Sequence, residues 1–231
     1  MKLETIDSSL FLGKFQNVKS LKFEELDSGS FFNNLPIHNE LLASFVPQDV
    51  LDETKIYPPN IAVLDFIFKN INKDELSLLD YGCGIPKLMQ LLNHAGYDSV
   101  WNYDNWSQVD KKFAIEFINK MNLNFKSIVD SIYEIPEQIN CVSHIGYPIT
   151  TKDFFTILNR CKKLEYILSD YRFTPEPYLD KDIITKNKFE QKNMHISISR
   201  EELSVNGFHP FVIYDGLLVV YKKNGNKENK L

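Results

Sequence analysis

The sequence is poor in the residues that build disulfide frameworks and structural metal sites. Three cysteines, Cys83, Cys141 and Cys161, stand far apart in 231 residues, and no C-x-x-C pair is present. The 5 histidines lack partners at metal-ligand spacing. Small secreted proteins and zinc modules show the opposite pattern. The composition therefore predicts an intracellular, reduced protein that binds no metal.

Arginine is also scarce. Of 26 cationic residues only Arg160, Arg172 and Arg200 are arginine, and the formal net charge is -5 at pH 7. Basic, arginine-rich surfaces are typical of proteins that bind phosphate backbones or base edges. Nucleic acid is therefore not expected as a partner or a substrate.

Long apolar runs are missing as well. The run Leu10–Leu12 is too short for the hydrophobic region of a signal peptide, and no uncharged stretch reaches the length of a membrane span. Hydrophobic residues make up 43% of the chain, enough for the core of one sizeable domain. We therefore expect a cytoplasmic protein with no membrane partner.

The strongest pattern lies in residues 76–95. An apolar run ends in Asp80, passes through Gly82 and Gly84, and continues into leucines at helical spacing. This pattern predicts a strand, a tight turn and a helix. The glycines permit a sharp turn and the close approach of a ligand, and the start of the helix presents unpaired amides. Asp80 can neutralise a cationic group or accept hydrogen bonds from a ligand.

A second acid follows at the distance that a nucleoside site requires. Residues 99–104 form a predicted strand that ends in Asp104, 22 positions beyond Gly82. In dinucleotide-binding folds an acid roughly 20 residues beyond the glycines accepts hydrogen bonds from ribose hydroxyls. We therefore predict a ribose contact for Asp104.

Further strands are predicted at 125–129, 139–145 and 164–170, and helical patterns separate them. The chain then closes in a hairpin that turns at Asp215-Gly216. This alternation predicts an α/β fold with a mostly parallel sheet and one antiparallel strand. Ligands bind at the carboxyl ends of the strands in such sheets, where the acids fall.

The run Leu78-Leu79-Asp80-Tyr81-Gly82-Cys83-Gly84 resembles the first motif of the class I S-adenosylmethionine-dependent methyltransferases. That family often has a third glycine where this chain has Pro86, and proline is favourable at the first position of a helix. The nicotinamide fingerprint fits the chain less well, because Lys87 stands at its third glycine.

The resemblance implies a Rossmann-like fold with a seven-stranded, mostly parallel sheet, helices on both faces and an antiparallel last strand. It implies methyl transfer from S-adenosyl-L-methionine, which leaves S-adenosyl-L-homocysteine. The cofactor-binding residues that it implies are Asp80, Gly82, Gly84, Asp104, Asn105 at the adenine edge, Asp130 and Ser131 of a second motif, and Tyr57 at the methionine end.

In this family the acceptor meets the reactive methyl group at the end of the fourth strand, here His144–Pro148. The chain lacks the Asp/Asn-Pro-Pro-Tyr/Phe motif with which related enzymes methylate amino groups of nucleic acids. We predict His144 as the general base, because imidazole titrates near neutral pH. Tyr147 is predicted to orient the acceptor, which we expect to be an oxygen or nitrogen of a small molecule or sugar.

The chain divides into a predicted N-terminal cap over the substrate (1–56), the cofactor-binding domain (57–223) and a flexible tail (224–231). Residues 173–195 lack periodicity and form a predicted lid insertion. Two other functions remain open. One is a non-catalytic S-adenosylmethionine-binding subunit that scaffolds a partner, and the other is an NAD-dependent oxidoreductase. The sequence leaves the oligomeric state undetermined.

Overall fold

The computed structural model describes residues 3–6, 58–107, 110–123, 128–171, 198–214 and 216–224. The strands in these ranges are β1 (Glu4–Ile6), β2 (Leu78–Tyr81), β3 (Val100–Tyr103), β4 (Ile128–Val129), β5 (Cys141–His144), β6 (Tyr166–Asp170), β7 (Phe208–Tyr214) and β8 (Leu218–Lys223). The α-helices are α1 (Pro58–Asn70), α2 (Lys87–His94), α3 (Lys111–Lys120), α4 (Thr151–Arg160) and α5 (Arg200–Val205), and a short 3-10 helix spans Ile132–Glu134.

The described strands form one sheet in the order β1-β7-β8-β6-β5-β2-β3-β4. Neighbouring strands are parallel, except that β8 runs antiparallel to both β6 and β7. The predicted Rossmann-like α/β fold with an antiparallel last strand is thus confirmed. Within the described residues the sheet has eight strands, one more than the seven expected, because Glu4–Ile6 pairs with β7. These three residues lie in the sheet, although they belong to the segment for which we predict a cap.

The sheet has a hydrophobic cluster on each face. Successive strand residues point to opposite faces, so Leu78 and Leu79 of β2 join different clusters, as do Val220 and Val219 of β8. The first cluster includes residues of α1, α2 and α3, and the second includes residues of α4 and α5. Helices therefore cover both faces of the sheet. A ligand site is accordingly expected among the loops at the ends of the strands.

Side chains cap the helices that follow the strand ends. Thr150 accepts a hydrogen bond from the backbone N–H of Asp153 and starts α4, and Asp110 accepts from the N–H of Lys112 and starts α3. Such caps satisfy amides that have no partner within the helix. They fix where the loops after β5 and β3 end.

Several predictions concern residues outside the described ranges. They are the cap beyond residue 6, Tyr57, the lid at 173–195 and the tail beyond residue 224. Among the helices in the described ranges, none combines the length and apolarity needed to cross a membrane.

Candidate functional site

Buried polar side chains gather at the carboxyl ends of three neighbouring strands. They are Asp80 on β2, Ser143 and His144 on β5, and Ser169 and Asp170 on β6. A buried polar group costs free energy unless it has a partner. Open α/β sheets bind ligands at this same end of the strands. These two facts make the region the candidate functional site.

The glycine turn after β2 is tied to the neighbouring strand. The N–H groups of Gly82 and Cys83 donate to the carbonyl of Tyr103 at 2.7 and 3.2 Å. Gly82 and Gly84 have φ angles of +74° and +51°. Residues other than glycine rarely adopt such positive angles, because their Cβ atoms clash with the backbone. A Cβ added to Gly82 would lie 2.6 Å from Cβ of Tyr147. The space that we predicted for a ligand beside Gly82 is therefore taken, in part, by a tyrosine of the chain.

Asp80 stands opposite Ser143 in the register of β2 and β5. The Ser143 hydroxyl donates to Oδ1 of Asp80 at 3.0 Å. Burial raises the pKa of Asp80 from 3.8 to about 7, the Ser143 hydroxyl lowers it, and the charge of Asp104 raises it further. The carboxyl group therefore exchanges a proton near neutral pH, and a cationic ligand would favour its charged form.

Asp104 joins the glycine turn to the chain beyond β3. Its Oδ2 accepts from the N–H of Gly84 at 2.9 Å, and its Oδ1 accepts from the N–H of Trp106 at 2.7 Å. Trp106 has a φ of +56°, which is uncommon for a bulky residue. Each carboxylate oxygen can accept a second hydrogen bond. The predicted ribose contact of Asp104 is compatible with its role in holding the turn.

Asn105 and Tyr147 are in contact beside the glycine turn. We predicted that Asn105 contacts the cofactor and that Tyr147 contacts the acceptor. Nδ2 of Asn105 donates to the hydroxyl of Tyr147 at 2.8 Å. The Tyr147 ring also packs near Tyr81, with 6.3 Å between centroids. The loops after β3 and β5 are therefore linked in front of Gly82. Their separate roles toward cofactor and acceptor remain predictions.

Asp130 and Ser131 follow the edge strand β4. Asp130 is exposed and forms an ion pair with Lys111 at the start of α3. The Ser131 hydroxyl accepts from the N–H of Tyr133 at 3.2 Å and caps the 3-10 helix. These contacts are structural ones. A contact between this pair and an adenine amino group remains a prediction.

His144, the predicted base, ends β5 and has no exposed surface. Burial lowers its pKa to about 4, while the charge of Asp170 and a hydrogen bond with the backbone of Tyr147 act in the opposite direction. The imidazole is thus neutral at neutral pH. It can accept a proton only as a weaker base than an exposed histidine.

Asp170 links β6 to the loop that carries Tyr147. Its Oδ2 accepts from the N–H of Gly146 at 3.1 Å, and Gly146 has a φ of +76°. The hydrogen bond stabilises the turn between His144 and Tyr147. Because of this, Asp170 affects both predicted catalytic residues without needing to touch an acceptor.

Our sequence reasoning missed Ser143 and Lys111. A serine one residue before the end of a strand carries no motif, and its relation to Asp80 appears only once β2 and β5 are aligned. Lys111 would have been found only by placing α3 beside the end of β4. In the described part of the chain, no group of histidine, cysteine and acidic side chains is arranged to hold a metal ion.

No protein-family model and no curated protein matches the chain. Solved structures do resemble it. One is magnesium protoporphyrin IX methyltransferase from Synechocystis PCC 6803, with 15% identity, 71% of this chain and 82% of that chain covered, and a TM-score of 0.46. Another is the ribosomal protein L11 methylase of Lactobacillus delbrueckii subsp. bulgaricus, with 13% identity, 75% and 83% covered, and a TM-score of 0.47. A third is the mitomycin 7-O-methyltransferase MmcR, with 14% identity, 72% and 52% covered, and a TM-score of 0.47.

Similarities of this degree do not transfer an activity or a substrate to the chain. The names of these three proteins point to different acceptors, small molecules in two cases and a ribosomal protein in the third. They therefore do not indicate a single class of acceptor.

Proposed function

We propose that the protein is an S-adenosylmethionine-dependent methyltransferase that methylates an oxygen or nitrogen of a small molecule or sugar. The observation that carries the proposal is the joining of Asp80, the glycine turn and Asp104. Asp104 binds the turn through Gly84, and Asp80 lies buried at the end of the strand that enters it. This arrangement ties two carboxyl groups to one backbone turn, because Asp80 lies at the end of the strand that enters the turn and Asp104 accepts a hydrogen bond from it.

The residues present fit this cofactor by their chemistry. S-adenosylmethionine carries a sulfonium and an ammonium group, and such a cation would favour the charged form of Asp80, whose pKa burial raises to about 7. Asp104 retains acceptor capacity for ribose hydroxyls, and Asn105 and Tyr147 stand in front of the turn. When bound, the cofactor supplies an electrophilic methyl group.

The residues at the end of β5 then act on the acceptor. His144 is neutral at neutral pH because burial lowers its pKa to about 4, so its imidazole can act as an acceptor for a substrate proton. Because His144 has no exposed surface, this role requires the end of β5 to open toward the acceptor. Tyr147 orients the acceptor at the edge of the turn. Much of the expected rate gain comes from aligning the two reactants.

The charge of the chain supports this acceptor class. The net charge of -5 and the three arginines disfavour a polyanionic acceptor. We also propose a reducing, cytoplasmic location, since Cys83, Cys141 and Cys161 are all free thiols and two of them are buried.

The test is calorimetric titration with S-adenosylmethionine, S-adenosylhomocysteine and NAD in parallel. The proposal requires binding of both adenosyl ligands and not of NAD, followed by methyl transfer to members of an acceptor panel. Binding of NAD alone would support an oxidoreductase instead. Binding of the adenosyl ligands without turnover on any acceptor would support the non-catalytic subunit.

Asp104→Ala provides a variant test of the site. It should weaken binding of S-adenosylhomocysteine by about tenfold or more, because hydrogen bonds to a charged group are worth roughly 1.5 to 3 kcal/mol. Asp98→Ala is the matched control, since it removes an exposed acid just before β3. Equal affinities of the two variants would contradict the assignment of Asp104.

A further inference from the structure

Ser143 and Asp80 form a buried pair between two central strands. They face each other in the register of β2 and β5, and the hydroxyl donates to Oδ1 at 3.0 Å. Ser143 has 0% of its surface exposed and Asp80 has 6%. Bulk water therefore has little access to replace the donor if the hydroxyl is removed.

We propose that Ser143 is a positioning residue, whose hydroxyl holds the Asp80 carboxylate in the orientation and the charged state that a cationic cofactor requires. The inference rests on the proposed function. A hydrogen bond donated to a carboxylate favours its charged form over its protonated form. The same bond restricts rotation of the carboxylate, because its donor is fixed to the neighbouring strand.

Of the other groups around Asp80, one opposes its charge and the rest do not favour it. Asp104, after β3, repels a second negative charge. The Cys83 thiol, in the turn itself, has its pKa raised by burial and by the two acids, so it stays neutral. His144 follows Ser143 on β5 and points to the opposite face of the sheet, as successive strand residues do. Among these neighbours, Ser143 is the group that favours the carboxylate.

The first experiment uses the free protein. The protonation of Asp80 is followed by the carboxyl 13C shift in wild type, Ser143→Ala and Ser77→Ala. Ser77 is the matched control, a buried serine before β2 whose hydroxyl has no hydrogen-bond partner in the described residues. Ser143→Ala should move the midpoint to higher pH, and Ser77→Ala should leave it unchanged. An unmoved midpoint in Ser143→Ala overturns the proposal.

The second experiment measures the affinity for S-adenosylmethionine as a function of pH. Ser143→Ala should lose about tenfold at pH 7 and progressively less as the pH rises, because both proteins then carry a charged Asp80. Ser143→Thr, which keeps the hydroxyl, should restore the wild-type profile. A loss that is the same at every pH would mean a packing role only and would overturn the proposal.

The two proposals fail in different ways. Wild-type protein that binds neither adenosyl ligand overturns the proposed function, and with it the role of Ser143 toward a cofactor. Wild-type protein that binds them, together with a pH profile that Ser143→Ala does not change, overturns the positioning role and leaves the proposed function standing.

Discussion

Replacing Asp80 with asparagine should stabilise the fold at neutral pH, although Asp80 belongs to the proposed cofactor site. Burial raises its pKa from 3.8 to about 7, so the folded protein favours the protonated acid more than the unfolded chain does. The contribution of Asp80 to stability is fully present below the pKa of its carboxyl group in the unfolded chain. It is lost as the pH rises through the pKa of the same group in the folded protein. At about 1.36 kcal/mol per pKa unit, the loss amounts to about 4 kcal/mol. Asparagine does not titrate, and its Oδ1 can still accept from Ser143.

The assay is urea unfolding of wild type and Asp80→Asn over a series of pH values. The stability difference should be small near pH 4 and should rise to about 4 kcal/mol in favour of the variant just above pH 7. Asp98→Asn, at an exposed position, is the control for the substitution itself. A variant that is less stable than wild type at neutral pH would refute the reasoning, because Asp80 would then be a stabilising carboxylate.

Two further predictions test the neighbouring loops. Burial lowers the pKa of His144 to about 4, so its contribution to stability is present above the unfolded pKa of 6.5 and is lost as the pH falls toward the folded value. The free energy of unfolding of wild type should fall by about 3 kcal/mol over this pH interval because of His144, and His144→Gln should not show this loss in urea titrations. An equal loss of stability at acid pH in both proteins would contradict the burial of a neutral imidazole. Gly82→Ala should cost more stability than Gly216→Ala by about 1 to 3 kcal/mol, because both glycines have a φ of +74° but only Gly82 meets Tyr147. Equal melting temperatures of the two variants would show that the contact with Tyr147 imposes no cost.

Features encoded within a short stretch of chain could be predicted from the sequence. The strand, turn and helix around Asp80, the φ angles of Gly82 and Gly84, and the alternation of strands and helices follow from local periodicity and from the conformational freedom of glycine. The closeness of Asp104 to the turn also follows, because adjacent parallel strands bring their carboxyl ends to one edge.

Contacts that depend on the register between distant strands could not be predicted. Ser143 reaches Asp80 because β5 pairs with β2 in one register, and a shift by one residue would point the serine to the other face. Tyr147 reaches Gly82 through the loop after β5, and nothing near Gly82 in the sequence indicates it. The burial of His144 likewise depends on packing around the strand end, so its lowered pKa could not be read from its residue type.

The pairing of β1 with β7 has a consequence for how the chain is made. Glu4 lies opposite Val212, so this contact closes a segment of about 200 residues, and contacts so distant in sequence form slowly. During synthesis the first strand must wait until the C-terminal hairpin has left the ribosome. We therefore expect β1 to dock among the last events in the folding of this sheet, and a nascent chain truncated before residue 208 would lack β7, the strand with which β1 pairs in the described residues.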